Sequence, residues 1–323
     1  MLSFDVLYNR LGASLLPYLE QVEYVDTVGR DPSTLAVTLC NADGRFTREW
    51  SCTKGDSLSL RFGAATAEPL AISEVSVEAV PRLVTWRASA RPATVKAPSG
   101  RGGGTPPPSS GAFVSDKRSW DSYTSTVTLR EVAQRVCAEC GLTLHYSAKT
   151  NPRLLRVARL RESGYHLLER LCRMHGLAVR ATAAQVQIVA RPGTPDAPAQ
   201  NVVDVPSDAI ISMQQTDALK VSKVQSVRRD PYTNRVERVS YGDGDGGIVS
   251  LGYSIADAAG IYEEAILDAL AGELTVYPDP RYVAGAVLKI PGLGLRVVTE
   301  MRYTRSGDAE QMSLVTKGGM IWL

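Results

Sequence analysis

The stretch that decides the fold class reads Leu35-Ala-Val-Thr-Leu-Cys-Asn-Ala-Asp-Gly-Arg45. Its residues Leu35, Val37 and Leu39 alternate with small or polar ones, which is the two-residue period of a half-buried β-strand. The Asn-Ala-Asp-Gly sequence that follows is typical of a tight turn. The pattern predicts a strand that ends in a turn, within a mainly β segment.

The same alternation extends to about residue 90, with further short strands predicted near 58–62 and 84–88. Between residues 70 and 80 the apolar phase changes, from Leu70 and Ile72 to Val75 and Val77. An extra residue in one strand, a β-bulge, would produce this shift. Residues 1–90 are therefore predicted to form a small β-sandwich or barrel.

A compositional break follows at residues 91–112, which contain five Pro, five Gly and three Ser. Such a segment buries too little apolar surface to offset the entropy of ordering it. We expect residues 91–117 to be a flexible linker or loop. It is either a tolerated surface insertion or an adaptable loop that orders against a neighbouring subunit.

Residues 118–192 have a helical period. Thr128 with Glu131 forms a capping-box pattern, and Gly141 is the predicted C-cap. The apolar stripe of this first helix is Leu129, Val132, Ala133, Val136 and Cys140. The same design recurs 35 residues later, at Leu167, Leu171, Cys172, Gly176, Leu177 and Val179. The segment is predicted to be an α/β unit in which a helix, a Gly-Leu pair and a strand occur twice.

The remaining residues return to β with one helix. After a linker at 193–203, Ser254 is a candidate cap for a helix that ends near Gly272. Its predicted stripe is Ile255, Ala259, Tyr262, Ile266 and Leu270. The next strand is predicted to bury Leu295, Val297, Thr299, Met301 and Tyr303 and to leave Arg296, Glu300 and Arg302 mainly in water. Met312, Leu314 and the final residues 321–323 suggest further strands.

The most distinct candidate site is a metal site. Cys137 and Cys140 form a CxxC pair, and Cys172 with His175 forms a CxxH pair, while His145 and His166 are nearby in sequence. Three Cys and one His would make a closed zinc site. However, both pairs sit at equivalent positions of amphipathic helices, where a small apolar residue is wanted and buried free cysteine is common. We therefore predict a packed interior without metal.

Other ligand loops are weaker. The run Tyr241-Gly-Asp-Gly-Asp-Gly-Gly247 resembles a calcium loop, but Ser254 stands where the bidentate Glu would be needed, so a hairpin turn is predicted instead. Pro291-Gly-Leu-Gly294 lacks the GKS/T of a phosphate loop. Neither segment indicates a cofactor, and none is predicted.

The sequence offers little material for catalysis. It has three histidines and no GxSxG or HExxH motif. Glu162 and Glu169 are explained by an ordinary solvated face, although two carboxylates could converge as in a glycosidase. We expect no enzyme and no catalytic residues.

Arginine is locally dense between residues 153 and 180, where seven arginines face two glutamates. They are Arg153, Arg156, Arg159, Arg161, Arg170, Arg173 and Arg180. The stretch lacks the interleaved aromatics of single-strand nucleic-acid binders. A plain solvated helix face is the first expectation, and a docking face for an acidic protein partner is the second.

The bulk composition is that of an ordinary folded chain of two or three domains. The 323 residues are 44% hydrophobic and 22% charged, with a formal net charge of +2, which argues against general attraction to nucleic acid or membrane. We expect no membrane anchor and no secretory signal. Five cysteines are not a disulfide framework and suggest assembly in a reducing cytoplasm.

Several segments together resemble the late-control protein D family of contractile-tailed phages, which is related to the hub part of type VI secretion spikes. The N-terminal segments are residues 35–45 and Lys54-Gly-Asp-Ser-Leu-Ser-Leu60. The central ones are Lys117-Arg-Ser-Trp120, Thr128-Leu-Arg-Glu-Val132, Cys140-Gly-Leu-Thr143 and Ser163-Gly-Tyr-His-Leu-Leu-Glu-Arg-Leu-Cys-Arg-Met-His-Gly-Leu177. The C-terminal ones are Tyr277-Pro-Asp-Pro280, Val283-Ala-Gly285 and Val297-Val-Thr-Glu300. The sequence departs from the family pattern at Cys140, at Gly164 and in the long 91–112 insertion.

The resemblance implies an α+β, mainly β fold with two tube-like β-barrels separated by an α/β insertion. The corresponding domains are 1–90, the linker 91–117, the insertion 118–192, the linker 193–203 and the second barrel 204–323. It also implies a homotrimeric ring whose two barrels per chain match a hexameric tail tube on one side and a three-fold spike on the other. The implied partners are the tail tube protein and the central spike protein, with the tape-measure and baseplate wedge proteins as further candidates. The implied location is the baseplate of the virion tail, after assembly in the host bacterial cytoplasm.

Two other functions are kept open at this point. A tail-associated cell-wall hydrolase would need a catalytic domain, for which this chain has no length to spare. A zinc-stabilised binding module would need metal in the cysteine group.

Overall fold

The computed structural model describes most of the chain. The described residues are 4–28, 33–62, 65–66, 69–80, 82–89, 118–120, 127–154, 157, 159–181, 185–191, 202–215, 221–229, 233–244, 247–253 and 258–318. The predicted 91–112 loop, the candidate cap Ser254 and residues 321–323 lie outside them. Of the helices among the described residues, none is both long enough and apolar enough to cross a membrane.

The N-terminal part is made of short strands, as the alternating pattern predicts. They are β1 (Phe4–Tyr8), β2 (Ala13–Ser14), β3 (Leu19–Thr27), β4 (Thr34–Cys40), β5 (Ser57–Phe62), β6 (Ala65–Thr66), β7 (Leu70–Glu78) and β8 (Leu83–Ser89). Leu35, Val37 and Leu39 are buried, and so are Val84 and Trp86. The predicted bulge in β7 is confirmed, since its register against β8 shifts between Ile72 and Glu74.

The central part contains two helices and short strands. They are β9 (Arg118–Trp120), β10 (Val127–Thr128), α1 (Leu129–Cys140), β11 (Thr143–Tyr146), β12 (Arg153–Leu154), β13 (Arg159–Glu162), α2 (Gly164–Arg173), β14 (Leu177–Ala181) and β15 (Gln185–Ala190). The capping box of Thr128 and Glu131 is confirmed, and Gly141 ends α1 in the left-handed conformation. Gly176 has the same φ of 67° as Gly141, and both precede a strand.

The C-terminal part is again mainly β. Its elements are β16 (Val202–Asp204), β17 (Ile210–Gln215), β18 (Lys223–Arg229), β19 (Val236–Tyr241), β20 (Ile248–Tyr253), α3 (Ala258–Ala269), β21 (Gly272–Val276), β22 (Val287–Ile290), β23 (Gly294–Ser306) and β24 (Ala309–Gly318). The fold as a whole is therefore mainly β.

One continuous sheet joins the two ends of the chain. Its strand order is β17-β21-β24-β23-β3-β4-β8-β7-β5-β1-β2, with β6, β16 and β22 attached beside this path. The link between the N-terminal and C-terminal strands is the antiparallel pair β3 and β23. Within the described residues the path does not return on itself.

The two ends of the sheet repeat the same pairing. The N-terminal strands are ordered β3-β4-β8-β7-β5, and the C-terminal strands are ordered β17-β21-β24-β23-β22, with every neighbouring pair antiparallel. A short 3₁₀ turn precedes both β3 and β17, at Leu16–Tyr18 and Ser207–Ala209. The repeat ends at the next strand, because β1 is antiparallel to β5 whereas β16 is parallel to β22.

The bulges occur at equivalent places in the two repeats. Glu20 of β3 and Ile211 of β17 are each skipped in the pairing with the next strand. Ser73 of β7 and Thr299 of β23 are skipped in the same way. These registers make Leu19 equivalent to Ile210 and place Glu74 at the position of Glu300.

Side-chain bonds at the bulges repeat as well. The Ser73 hydroxyl donates to the carbonyl of Arg87 at 3.1 Å, and the Thr299 hydroxyl donates to the carbonyl of Val315 at 3.2 Å. A hydroxyl at this point can satisfy a carbonyl that the irregular pairing leaves open. The repeat therefore extends from strand order to individual hydrogen bonds.

The glycine turn before β5 and β22 is also repeated. The amide of Gly55 donates to the carbonyl of Ile72 at 2.9 Å, and the amide of Gly285 donates to the carbonyl of Val298 at 2.7 Å. Their φ values of 103° and 91° are in a region that favours glycine. Both glycines lie in segments on which the family resemblance rests.

Two hydrophobic cores are present among the described residues. One includes buried residues of both the N-terminal and the C-terminal strands, among them Trp86, Tyr24, Tyr303 and Leu314. The other is confined to residues 127–188 and contains the apolar faces of α1 and α2. The central part thus has its own core, whereas the two ends of the chain share one.

The prediction for the faces of β23 is partly wrong. Val297, Met301 and Tyr303 are buried as predicted, but Leu295 and Thr299 are only half-buried. Val298 and Arg296, on the face predicted to be wet, are buried, and Arg296 is only 6% exposed. The bulge at Thr299 reverses the alternation, so residues before it point the opposite way from what a regular strand would give. Burial lowers the pKa of Arg296.

The hairpin predicted at residues 241–247 is wrong. β18 lies between β19 and β20, pairing antiparallel with the first and parallel with the second. The glycine run therefore crosses one end of a three-stranded sheet instead of turning between neighbours. A Cβ at Gly242 would lie 2.3 Å from the carbonyl oxygen of Ser222, so close backbone approach explains that glycine.

The predicted C-terminal helix exists, but its buried face differs from the prediction. Its buried residues are Ala258, Gly260, Leu267 and Ala269. The predicted Ala259, Tyr262, Ile266 and Leu270 are only half-buried. The helix packs by its small residues, which a search for large apolar side chains overlooks.

Candidate functional site

The three parts of the chain meet at a charged contact region that we call the junction. It is formed by Asp26 of β3, Arg173 of α2, Arg180 of β14, Glu264 of α3 and Lys317 of β24. These residues come from the N-terminal, central and C-terminal parts in turn. The junction is therefore where the relative placement of the parts is decided.

Asp26 is the most buried charged group of the junction, with 2% of its surface exposed. Its carboxylate accepts hydrogen bonds from Arg180 at 2.8 Å, from the hydroxyl of Ser33 at 3.0 Å and from the amide of Ala284 at 3.2 Å. The donors belong to three different parts of the chain. A buried carboxylate with such partners acts as a structural tie, since leaving it unpaired would be costly.

A second tie joins α2 to α3. Arg173 contacts Glu264 with an N–O distance of 2.9 Å, and Arg191 lies 3.7 Å from the same carboxylate. The Glu264 carboxylate raises the pKa of Arg173 above its ordinary value. Lys317 of β24 pairs with Asp268 on the same helix. One face of α3 thus carries ion pairs to both the central part and β24, since Glu264 and Asp268 lie four residues apart.

A close backbone contact brings α3 to the end of α2. A Cβ added at Gly260 would lie 2.7 Å from the amide nitrogen of Gly176, closer than real Cβ atoms come. Glycine at this position lets the helix approach the turn that follows α2. The same approach of the two helices brings Arg173 of α2 to Glu264 of α3, where they form the ion pair.

A cleft of about 510 Å³ lies beside Arg173, Glu264 and Lys317 of the junction. Its charged lining residues are Glu169, Arg173, Arg191, Glu264, Asp268, Glu300 and Lys317. The described residues that line it include no His, Cys or Ser, and their hydroxyls are those of Thr27 and Thr299, of which Thr299 donates to the carbonyl of Val315. The arrangement can hold elements together electrostatically, but it does not pair a nucleophile with a base.

The cysteine and histidine group is dispersed by burial. Cys137, Cys140 and Cys172 are buried in the central core, and His145 and His166 are exposed. Burial raises the pKa of Cys137 to about 12, with a further contribution from Cys140, and this favours the neutral thiol over the thiolate that zinc needs. Among the residues with described positions, no three His, Cys, Asp or Glu side chains form a group that could hold a metal ion.

The arginine stretch is a solvated face only in part: Arg153 and Arg173 are exposed, whereas other arginines of the stretch are buried or half-buried. Arg159 is fully buried and donates to Glu139 at 2.9 Å and to the carbonyl of Glu162 at 2.8 Å. Arg170 pairs with Glu162 at 2.5 Å. Arg173 pairs with Glu264 and Arg180 pairs with Asp26 in the junction. The acidic partner that charge density indicated lies within the same chain for these four arginines.

Glu162 and Glu169, the two carboxylates considered for catalysis, have separate environments. Glu162 is held by Arg170, and Glu169 lines the cleft beside Arg173. The geometry gives a structural explanation for both.

Sequence reasoning missed the two residues that matter most here, Asp26 and Glu264. Each is a single carboxylate in an amphipathic element, and nothing in its local pattern separates it from a solvated one. Two of the three partners of Asp26, Arg180 and Ala284, lie 154 and 258 residues away. No window-based signal could have found them.

No family model matches the chain, and no curated protein matches it in sequence. Similar solved structures cover nearly all of it. A tail protein from Neisseria meningitidis matches with a TM-score of 0.68 at 12% identity, over 99% of this chain and 98% of that one. The 43 kDa tail protein of prophage MuSo2 from Shewanella oneidensis matches with a TM-score of 0.64 at 13% identity, over 98% of both chains.

A further similar structure is an Escherichia coli component of the type VI secretion system, described as structurally similar to the T4 bacteriophage tail proteins gp27 and gp5. It matches with a TM-score of 0.58 at 10% identity, over 98% of this chain and 74% of that one. At such identities the similarity establishes the fold.

Proposed function

We propose that this chain, which has the fold of phage tail proteins and of a type VI secretion component, is the structural baseplate hub of a contractile phage tail or related injection machine. In this role it forms a homotrimeric ring that joins the hexameric tail tube to the three-fold spike. The resemblance of its motifs to the late-control protein D family supports the same assignment.

The observation that carries the proposal is the strand repeat. Each chain contains the same five-strand pairing twice, down to the positions of its bulges. Three copies would then present six near-equivalent strand units around one axis. A ring of this kind can meet a six-fold tube and a three-fold spike with one gene product.

The domain organisation follows from this role. Residues 1–90 and 204–323 form the two tube-like units, which close as barrels in the assembled ring, and residues 118–192 form the insertion between them. The linkers are 91–117 and 193–203. The separate core of the central residues supports the division.

The partners proposed are the tube protein and the central spike protein, with the tape-measure and wedge proteins as further contacts. The ring is assembled in the host cytoplasm and resides at the tail tip. The protein has no catalytic activity and no cofactor, a proposal supported by the ion pairs that occupy the carboxylates of the cleft.

The test is a cryo-EM reconstruction of the assembled tail tip together with a cell-wall degradation assay. We expect density for three copies between the last tube ring and the spike, and no hydrolysis by the isolated chain. Absence of the chain from that position would refute the hub. Robust hydrolysis would favour the alternative of a tail-associated hydrolase.

A further inference from the structure

The central part of the chain, residues 118–192, is built as a unit of its own. Among the described strands, those of the central part pair only with one another, in three small sheets. Its described core residues and those of the core that the two chain ends share form separate sets. A unit of this kind can move as a rigid body unless a large apolar interface holds it to its neighbours.

One contact of the central part with its neighbours is the pair of Arg180 and Asp26. Ser33 and the amide of Ala284 hold the Asp26 carboxylate on the side of the continuous sheet, at 3.0 and 3.2 Å. The central part contributes Arg180, at 2.8 Å. Only 3% of the Asp26 side chain is exposed, so salt screens this pair weakly, and leaving the carboxylate without its cation is costly. This contact is therefore built to persist.

The second contact, between Arg173 and Glu264, is more exposed. The Nε of Arg173 donates to both carboxylate oxygens of Glu264, at 2.9 and 3.1 Å. The Arg173 side chain is 61% exposed, compared with 38% for Arg180. An exposed ion pair stabilises weakly and is screened by salt. This pair is therefore the weaker of the two.

The cleft of about 510 Å³ runs beside both contacts. Arg173 lines it, and so does Thr27, the residue next to Asp26. Its wall on the central side is formed by the start of β14, and its opposite wall belongs to β23, β24 and α3. The apolar residues of the two walls are Leu177, Ala178 and Val179 on β14, and Val297, Val298, Val315 and Leu267 opposite them. The cleft thus separates the central part from the continuous sheet.

The backbone contact near Arg173 involves two glycines. A Cβ at Gly260 would lie 2.7 Å from the amide nitrogen of Gly176, so the two backbones approach each other closely. Glycines bury little apolar surface, and parting them exposes little. The contact between α2 and α3 can therefore open without unpacking either core.

From these observations we propose that the central part turns as a rigid body about the Asp26–Arg180 contact, and that the Arg173–Glu264 pair is the latch that holds it against α3. When the latch opens, α2 moves away from α3 and the cleft widens, while the continuous sheet keeps its pairing. The proposal goes beyond the hub function and does not depend on it, because it rests on the contacts of the junction.

Ionic strength is the variable that separates the latch from the pivot. The distance over which salt screens a charge falls from about 10 Å at 0.1 M to about 3 Å at 1 M. Over this range the exposed pair of Arg173 and Glu264 loses most of its attraction. The buried carboxylate of Asp26 keeps its cation, because buried pairs are screened much less. High salt should therefore open the latch and leave the pivot closed.

Distances between spin labels, measured by double electron–electron resonance on the full chain, test this motion. The labels are placed on His166→Cys of α2 and Gln311→Cys of β24, both exposed positions. The half-buried Cys40 and Cys52 are replaced by Ser, whereas the other cysteines are buried and stay. Excess unlabelled chain is added so that each distance comes from one copy. A reference pair on Glu78→Cys and Gln311→Cys lies wholly within the continuous sheet.

We expect one distance between α2 and β24 at about 0.1 M salt and a second, longer and equally well-defined distance at about 1 M. The ratio of open to closed molecules should rise by about fivefold or more, which is what loss of one exposed ion pair allows. The reference pair should keep one distance throughout. An unchanged distance between α2 and β24 would overturn the proposal, and so would a change in the reference pair, since the sheet itself would then be moving.

Two substitutions on α3 separate the latch from the other ion pairs of the cleft. Glu264→Gln keeps the shape and removes the charge, so at about 0.1 M salt it should already show the open distance. Asp268→Asn is the matched control, because Asp268 lines the same cleft but pairs with Lys317 within the C-terminal part. It should behave like the unaltered chain. Equal opening in both variants, or opening in neither, would contradict the latch.

Arg180→Met tests the pivot. Without this cation the central part loses its hold on Asp26, so the open form should change from one defined distance to a broad distribution. A defined open distance in Arg180→Met would place the pivot elsewhere, and a broad distribution in the unaltered chain at high salt would mean that the central part detaches altogether. Either result would overturn the proposal. Circular dichroism checks that the variant is folded, and Glu264→Gln tests the motion independently of it.

Discussion

At the scale of single residues, Asp26 shows how one carboxylate can tie distant parts of a chain together. Burying a charge costs several kcal/mol unless its partners compensate. Here Arg180, Ser33 and Ala284 supply a cation, a hydroxyl and an amide. The three contacts satisfy the carboxylate only when the N-terminal, central and C-terminal parts are all in place.

Replacing this carboxylate should therefore destabilise the whole molecule. We expect Asp26→Ala to lower the free energy of unfolding by about 3 kcal/mol, the usual cost of breaking a buried ion pair from one side. Urea unfolding followed by circular dichroism measures it. Asp43→Ala is the control, because Asp43 is exposed and pairs only with nearby Arg45. Equal effects of the two variants would mean that Asp26 is not a tie.

Glu131 gives a prediction that depends on pH. Hydrogen bonds from the backbone and side chain of Thr128 hold the pKa of Glu131 below its ordinary value of 4.5. The stabilisation is thus fully present above the unfolded pKa and is lost as the pH falls through the folded pKa. Glu131→Ala should lower the urea midpoint at pH 7, and the difference from the wild type should shrink as the pH falls below 4.5 and the carboxyl becomes protonated. Exposed Glu49→Ala should show no such convergence, and a constant difference for Glu131→Ala would contradict the capping role.

The cysteines allow a test of whether their role is to pack in the core or to bind zinc. The double variant Cys137→Ala, Cys140→Ala should fold and lose about 1–3 kcal/mol of stability, because two buried side chains are shortened. Metal analysis of the purified wild-type chain should find no stoichiometric zinc. Zinc that is lost on chelation together with the fold would show the zinc-stabilised module to be correct.

At the scale of elements, the bulge at Thr299 and the small face of α3 decide how the C-terminal part packs. Both break the regular period on which sequence interpretation depends. The bulge buries Arg296 beside Val297. On the buried face of α3, two alanines and Gly260 allow close backbone approach where large side chains would otherwise pack. In each case geometry, not composition, selects the buried residues.

Gly260 is the position at which the contact of α3 can be tested. Gly260→Ala adds a Cβ 2.7 Å from the backbone of Gly176, so the helix must move away. Alanine favours a helix by about 1 kcal/mol over glycine, yet we expect a net loss of about 1–2 kcal/mol from overpacking. Hydrogen exchange of the α3 amides should rise selectively. Half-buried Ala265→Ser is the control, and a stabilised Gly260→Ala would refute the close contact.

At the scale of the whole molecule, the distribution of the cores predicts which parts can fold alone. The central residues have a core of their own, whereas the two ends share one across the β3–β23 pair. A fragment of residues 118–192 should therefore unfold cooperatively, and a fragment of residues 1–90 should not, because it exposes the edge of β3. Differential scanning calorimetry of both fragments measures this. A cooperative transition for 1–90 alone would mean that its core is independent.

The sequence by itself determined the local elements of this protein. Period-two alternation, the capping box at Thr128 and the glycine after α1 are decided within a few residues, because each depends on neighbours along the chain. The bulge in β7 was visible as a change of phase. The motif order and the family resemblance pointed to a tail protein, and the fold agrees with that.

The tertiary structure alone decided the partners across the chain. The ties of Asp26 and Glu264, the strand β18 between β19 and β20, and the burial of Arg159 depend on contacts between residues far apart in sequence. The repeat of strand pairing in the two ends was likewise hidden, since equivalent positions such as Val77 and Tyr303 share a register but not a residue type. Hydrogen-bond register is a property of the backbone, and many sequences satisfy it, which is why it had to be read from the structure.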